Sequence, residues 1–188
     1  MSAWPDDVRP GEAGPGRIRP GRTRPGAARP AGYPGGGSGV RLREMTKADM
    51  SGILALEREL FPEDAWTPEM FAAELAKSAS RRLYLVAEEG TALIGYAGMM
   101  FTGGSQADVV TLAVIPARWG EGTGTALLTT LVDEATKRGY EEVLLEVRED
   151  NPRARQLYLR HGFAEAGIRR GYYQPSGVDA VVMRKALA

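Results

Sequence analysis

From Val40 onward the chain switches between two hydrophobic rhythms, one of period two and one of period three to four. "VRLREMT" alternates apolar and polar residues and predicts a strand over 40–46. "TKADMSGILALERELF" then sets Ile53, Leu54, Leu56, Leu60 and Phe61 at helical spacing, with Thr46 or Asp49 as N-cap. "FPEDAW" interrupts that helix. Thr67, followed by Pro68 and Glu69, opens a second one whose apolar face holds Met70, Phe71 and Leu75. "RLYLVAEE" and "ALIGYAGMMF" read as two strands of a hairpin joined across "EGT". "ADVVTLAVI" is a fourth strand, and it runs through a short turn into "GEGTG".

The helix after those glycines carries Leu127, Leu128, Leu131, Val132 and Ala135 on one face and stops at Gly139, behind Lys137 and Arg138. A strand "EEVLLEV", a short helix in "NPRARQLYLRHGF" ended by Gly162, and a hairpin of "FAEAGIRRGYY" with "VDAVVMRK" complete the pattern. The order β-α-α-β-β-β-α-β-α-β-β predicts an α/β fold, a mixed sheet with helices on both faces.

Residues 1–39 follow neither rhythm. Their loose PGR/RP repeat offers almost nothing to bury, so it predicts a disordered Pro/Gly/Arg-rich extension ahead of a single domain over 40–188. Six arginines against three acidic residues make the extension basic, while the whole chain has formal charge +0. Two readings stay open for it, an inert extension or a weak contact with RNA or the ribosome. It has no apolar core of a secretory signal, and no run of about 18 apolar residues suggests a membrane span. A cytoplasmic protein is the expectation.

The absence of cysteine removes disulfides, zinc–cysteine sites and a cysteine nucleophile together. A single histidine, His161, and no G-x-S-x-G stretch leave little for a serine triad. His161 reads as a packing or capping residue beside Gly162.

Two stretches could carry chemistry. Gly120, Gly122 and Gly124 stand at the mouth of a helix, but the third glycine comes too early for a dinucleotide fingerprint and no P-loop lysine follows. What remains is either a glycine-rich turn or a set of free amides, from Gly120 to Thr125, placed to hold a pyrophosphate at the positive end of a helix dipole. In "EEVLLEVREDN" the alternation puts Leu144, Glu146 and Arg148 on one strand face. Glutamate is a poor strand former, so Glu146 is either a rim carboxylate or a general base. Asn151 caps the next helix, and Tyr158 returns to nearly the same face two turns later. Tyr158 could meet the same cleft or simply pack.

"TLAVIPARWGEGTGTALL" followed by "LLEVREDNPRARQLYLRHGF" resembles the acetyl-CoA half of the GNAT acetyltransferase superfamily. "FPEDAWTPEMFAAEL", "LLEVREDN", "LYLRHGF" and "IRRGYY", in that order, resemble its RimI subfamily, which acetylates the terminal alanine of ribosomal protein S18. The likeness covers roughly residues 40–185. It implies a mostly antiparallel sheet, acetyl-CoA as co-substrate and the N-terminus of S18 as acceptor.

By the same resemblance Glu146 is the base and Tyr158 the proton donor. Leu112, Ala113 and Val114 form the strand that pairs with the pantetheine arm and acetyl carbonyl. Gly120, Glu121, Gly122, Thr123, Gly124 and Thr125 form the pyrophosphate loop, and Asn151 is a cofactor-binding asparagine. Phe61, Pro62, Trp66, Tyr172 and Tyr173 frame the peptide slot. Glu63 and Asp64 would favour a basic acceptor tail, and Arg169 and Arg170 either orient substrate or decorate a sheet edge. Trp119 departs from the pattern, since the superfamily commonly has Gln or Arg there, and Glu121 sets a negative charge inside a phosphate loop. The same scaffold also serves acetylation of small amines or lysine side chains, or non-catalytic acetyl-CoA binding, and these alternatives stay open at this point.

Overall fold

The computed structural model describes residues 32–33, 39–61, 65–75, 80–101 and 104–188. Pro62, Glu63, Asp64, the side chain of Leu75 and most of the N-terminal extension lie outside the described residues. The elements are β1 (Gly32–Tyr33), β2 (Val40–Glu44), α1 (Met50–Leu60), α2 (Pro68–Leu75), β3 (Arg82–Glu89), β4 (Ala92–Phe101), β5 (Gln106–Val114), α3 (Thr123–Lys137), β6 (Glu142–Arg148), α4 (Pro152–Arg160), β7 (Ala164–Tyr173) and β8 (Val178–Ala186). The predicted order is recovered, with the two-residue β1 added at the edge. Gly32 and Tyr33 pair with Arg43 and Leu42, so the edge of β2 is covered inside a stretch expected to form no strand.

The eight described strands form one sheet in the order β1-β2-β3-β4-β5-β6-β8-β7, with helices on both faces. Every neighbouring pair is antiparallel except β5 and β6. That parallel pair needs a crossover, and α3 supplies it. Its apolar stripe, Leu127, Leu128, Leu131 and Ala135, is fully buried, and the helix packs over β4 and β5. On α1, Ile53, Leu56 and Leu60 are buried, as is Phe61 at its C-cap, while Leu54 is half-buried. Met70 was expected inward but is exposed; adjacent helical residues point about 100° apart, and it is Phe71 that faces the core.

Thr46 and Asp49 share the cap at the start of α1. Asp49 Oδ2 accepts from Thr46 N at 2.8 Å and from Thr46 Oγ1 at 2.9 Å, around a 3-10 turn over Lys47–Asp49. The same carboxylate receives both terminal nitrogens of the buried Arg43, at 2.7 and 2.6 Å, and Arg43 Nε donates to Glu88 at 2.9 Å. Burial alone would raise the Asp49 carboxyl, yet the Arg43 and Thr46 hydrogen bonds outweigh it and hold it below the usual carboxylate range. This buried ion cluster ties β2, β3 and the start of α1 together, well away from the parted strands described next.

Candidate active site

Two irregularities open the sheet in its middle. The ladder between β5 and β6 ends at Val109 and Leu145, after four paired positions, and the strands part. Opposite them, the β4–β5 register slips so that Gly98 faces Thr111 while Met99 faces Val109, which leaves Val110 as an extra residue. The bulge turns the second half of β5 toward the gap. A cavity of about 800 Å³ lies there, bounded by Leu112 and Val114 of β5, the loop into α3, and the near side of α4.

The glycine-rich turn has the backbone it needs. Gly120 and Gly122 have φ of +81° and +89°, the left-handed region where a side chain is strained, and Gly122 is the N-cap of α3. Ala126 N donates to Gly122 O at 2.9 Å, so the amides ahead of it have no acceptor within the helix. Gly120, Gly122, Gly124 and Thr125 line the cavity. Glu121 does not line it. Its half-exposed carboxylate sits 3.5 Å from Arg118 Nη1, so its charge is partnered away from the amides. Thr123 is buried beneath the turn.

Trp119 takes a structural part. Its Nε1 donates to Val114 O at 2.8 Å, and Arg153 of α4 lies over its ring at 4.3 Å. The Val114 carbonyl is therefore engaged inside the chain, and Leu112 and Ala113 are the better candidates for pairing with an extended ligand. Of these two only Leu112 lines the cavity; Ala113 is buried opposite Tyr96. Asn151 caps α4, with its side-chain oxygen accepting from Ala154 N at 3.1 Å, and it also lines the cavity. Arg118, Arg153 and Arg160 line it too, and sequence reasoning missed them because arginines on two surface segments show no local pattern.

Glu146 and Tyr158 occupy very different settings. Glu146 is the residue after the last β5–β6 pair and is half-buried; its Oε1 lies 3.2 Å from Arg169 Nη1. Burial raises its pKa, while the Arg169 charge and its own backbone N–H pull the other way without cancelling the rise. Tyr158 is fully buried on α4, its ring edge-on to Phe163 at 5.7 Å, and its hydroxyl has no hydrogen-bond partner among the described residues. Burial drives its phenol far above the ordinary value, so it stays protonated. An orphaned hydroxyl in a core costs about 1–3 kcal/mol, which marks Tyr158 as a group awaiting a partner.

The aromatic residues assigned to the acceptor slot separate. Phe61, Trp66 and Tyr173 are buried, and Tyr172 is half-buried. Trp66 packs against Phe71 at 4.7 Å and edge-on to Tyr84 at 6.4 Å. Glu57, buried on α1, accepts from Trp66 N at 2.9 Å and from the Tyr96 hydroxyl, anchoring that segment to the sheet. Tyr173 OH reaches the backbone oxygen of Glu146 at 3.4 Å, and Arg169 lies over the Tyr172 ring at 5.5 Å. Arg169 thus joins the candidate base to an aromatic of the slot, whereas Arg170 of the edge strand β7 pairs with Asp179 of β8. His161 Nδ1 contacts Leu157 O at 2.7 Å beside the end of α4, as a capping residue would.

A parted parallel pair, a glycine-capped helix at the gap and a carboxylate and a phenol near it define a group-transfer scaffold. Residues 50–163 match the model of the acetyltransferase (GNAT) family, and the chain belongs to that family. It is similar to the N-alpha-acetyltransferase RimI of Mycobacterium tuberculosis, 41% identical over 78% of this chain and 92% of that protein. It is 30% identical to the putative ribosomal protein bS18-alanine N-acetyltransferase of Bacillus subtilis, over 76% of this chain and 92% of the relative. The crystal structure of the ribosomal-protein-S18-alanine N-acetyltransferase of Escherichia coli superposes with a TM-score of 0.70 at 29% identity, covering 79% of this chain and 94% of that one.

Proposed function

We propose that this chain transfers the acetyl group of acetyl-CoA to the N-terminal α-amine of a protein, and that the acceptor is the terminal alanine of ribosomal protein S18. The observation that carries the chemistry is the presence of a half-buried carboxylate at the parting of β5 and β6 together with a buried phenol on α4 whose hydroxyl has no partner among the described residues. The acceptor is supported by relatives that carry the S18-alanine name and are matched over 92% and 94% of their own length. A ribosomal-protein acceptor places the reaction in the cytoplasm. No helix among the described residues is long and apolar enough to cross a membrane.

The residues present fit acetyl-CoA. The amides from Gly120 to Thr125 suit the diphosphate, since they sit at the positive end of α3 and the positive φ of Gly120 and Gly122 keeps side chains out of the turn. The Leu112 and Ala113 backbone, freed from β6, suits the pantetheine arm, and Asn151 stands at the opposite wall. Bound there, acetyl-CoA supplies an activated acyl carbon and a thiolate leaving group. The strand amides near Leu112 are placed to polarise a carbonyl. Glu146 accepts a proton from the attacking amine, and Tyr158 holds a proton for the departing sulfur.

An α-amine suits this machinery. Its pKa of ~7.7–8.0 lies far nearer neutrality than the ~10.4 of lysine, so a modest carboxylate base suffices. S18 purified from a strain lacking this protein should carry an unmodified terminal alanine, read as a mass lower by about 42 Da, the net change when an acetyl group replaces one N–H hydrogen. Fully acetylated S18 in that strain would sink the proposal for the acceptor.

The domain boundary is likewise proposed at Val40. Deleting residues 1–39 removes, of the described elements, only the two-residue edge strand Gly32–Tyr33. The truncated protein should melt at the same temperature and acetylate a short peptide at the same rate. A lower melting temperature or a slower rate on the peptide would move the boundary into the extension.

A further inference from the structure

Acetylating an ammonium ion requires two protons to leave the same nitrogen. One must go before attack, because the ammonium has no lone pair, and one as the amide forms. Glu146 can accept one at a time. The face of the sheet on which it lies holds a second carboxylate. Paired residues of adjacent strands point to the same side, so Arg82, Met100, Asp108, Leu144 and Arg184 form one row across β3, β4, β5, β6 and β8. Glu146 follows Leu144 on that face of β6, immediately past the last β5–β6 pair. Asp108 is half-buried and accepts from Gln106 Nε2 at 2.9 Å, which orients one of its oxygens along the strand. The charged groups that act on it are Arg82 on β3, Glu146 on β6 and Arg169 on β7.

We propose that Asp108 is a second carboxylate of the acceptor site, which takes the first proton from the incoming α-ammonium while Glu146 takes the second. The proposal rests on the reading of Glu146 as the base for an α-amine. In the first step an N–H bond of the ammonium breaks, an O–H bond forms on Asp108, and the nitrogen keeps the electron pair. In the second, the amine attacks and its remaining surplus proton passes to Glu146. Asp108 then releases its proton to solvent, which is the net proton of the reaction. The proton on Glu146 returns, through solvent, to the phenol that protonated the sulfur. No other reactant is needed.

The energetics of Asp108 agree with that role. Burial raises its pKa to about 6, the Gln106 hydrogen bond opposes the rise, the Glu146 charge adds to it, and Arg169 and Arg82 pull it down. It is therefore ionised at neutral pH, ready to receive an ammonium ion, and a stronger base than an ordinary aspartate. A carboxyl whose folded pKa lies above its unfolded one binds more protons when folded. Its contribution to stability is therefore present at low pH and falls as pH rises from about 4 to about 6.

The test is the pH profile of kcat/KM on a peptide with a free N-terminal alanine, from pH 5 to 9, for the wild type and for Asp108→Asn, Asp108→Glu and Glu146→Gln. The wild type should gain activity through about pH 6 and be active well below the ~7.7–8.0 of the amine. Asp108→Asn should instead follow the neutral fraction of the amine, so that its deficit shrinks toward parity near pH 9 and grows as pH falls, to roughly ten- to twenty-five-fold at pH 6.5 and more below it. Asp108→Glu should restore activity on the acid side. Asp108→Asn should also melt higher than the wild type at pH 7, which loss of a structural contact would not produce. A ratio of wild type to Asp108→Asn that stays constant with pH would overturn the proposal. So would a wild-type profile that merely tracks the neutral amine, a result that needs no variant to fold. In both cases the assignment of the α-amine acceptor stands. A wild type inactive on every α-amine would overturn that assignment and this proposal together.

Discussion

Glu146→Gln should lower kcat by about 10²–10⁴-fold, the usual worth of a general base, while acetyl-CoA binds nearly as tightly as before. Glu146 does not line the cavity bounded by the glycine turn and α4, so the cofactor's affinity does not depend on it. The amide is close in shape to the carboxylate, and its loss of charge leaves only Arg169 unpaired at the half-exposed rim. The fold should survive. Steady-state rates set beside calorimetric binding of acetyl-CoA separate the two effects. A variant with full turnover at neutral pH would remove Glu146 from the base role.

Tyr158→Phe should lower kcat by about 10² or more and yet leave the melting temperature unchanged or higher. The two halves have one cause. In the folded protein the Tyr158 hydroxyl is buried without a partner among the described residues, and a buried unsatisfied donor costs about 1–3 kcal/mol. Removing the oxygen relieves that cost and keeps the ring packed edge-on to Phe163. A group that destabilises the fold and accelerates the reaction is held for function. Thermal melts and steady-state kinetics on the same preparation would decide the matter: a variant that is destabilised but equally active would mean that Tyr158 only packs.

The parts of this site that are written locally could be read from the chain. Gly120 and Gly122 announce a backbone only glycine adopts easily, Asn151 announces a helix cap, and the alternation in "EEVLLEV" puts Glu146 on the face it occupies. Asp108 was not legible. Alternation in "ADVVTLAVI" breaks at the Val110 bulge, which is defined only by the register with β4. Its neighbours Arg82, Glu146 and Arg169 come from three other strands, remote in sequence. The two-residue β1 has no length in which a period could show. Nothing local in the sequence marks Arg43 and Glu57 as buried, because their partners Asp49, Glu88 and Tyr96 are brought to them only by the sheet and α1. Trp119, a departure from the superfamily pattern, became intelligible only with its bond to Val114 O and Arg153 above it. Aromatics such as Trp66 and Tyr173 carry no mark in the sequence that separates a slot wall from a core residue, and both prove to be buried.

The central claim is that acetyl goes to an α-amine and not to a lysine. The measurement that tests it most directly is tandem mass spectrometry of a peptide with a free N-terminal alanine, followed by basic residues and an interior lysine, after incubation with acetyl-CoA. The gap of ~2–3 pKa units between the two amines predicts one acetyl group, located on the terminal nitrogen, and no reaction once that nitrogen is formylated. Label on the lysine side chain, or acetylation that persists on the formylated peptide, would contradict the account.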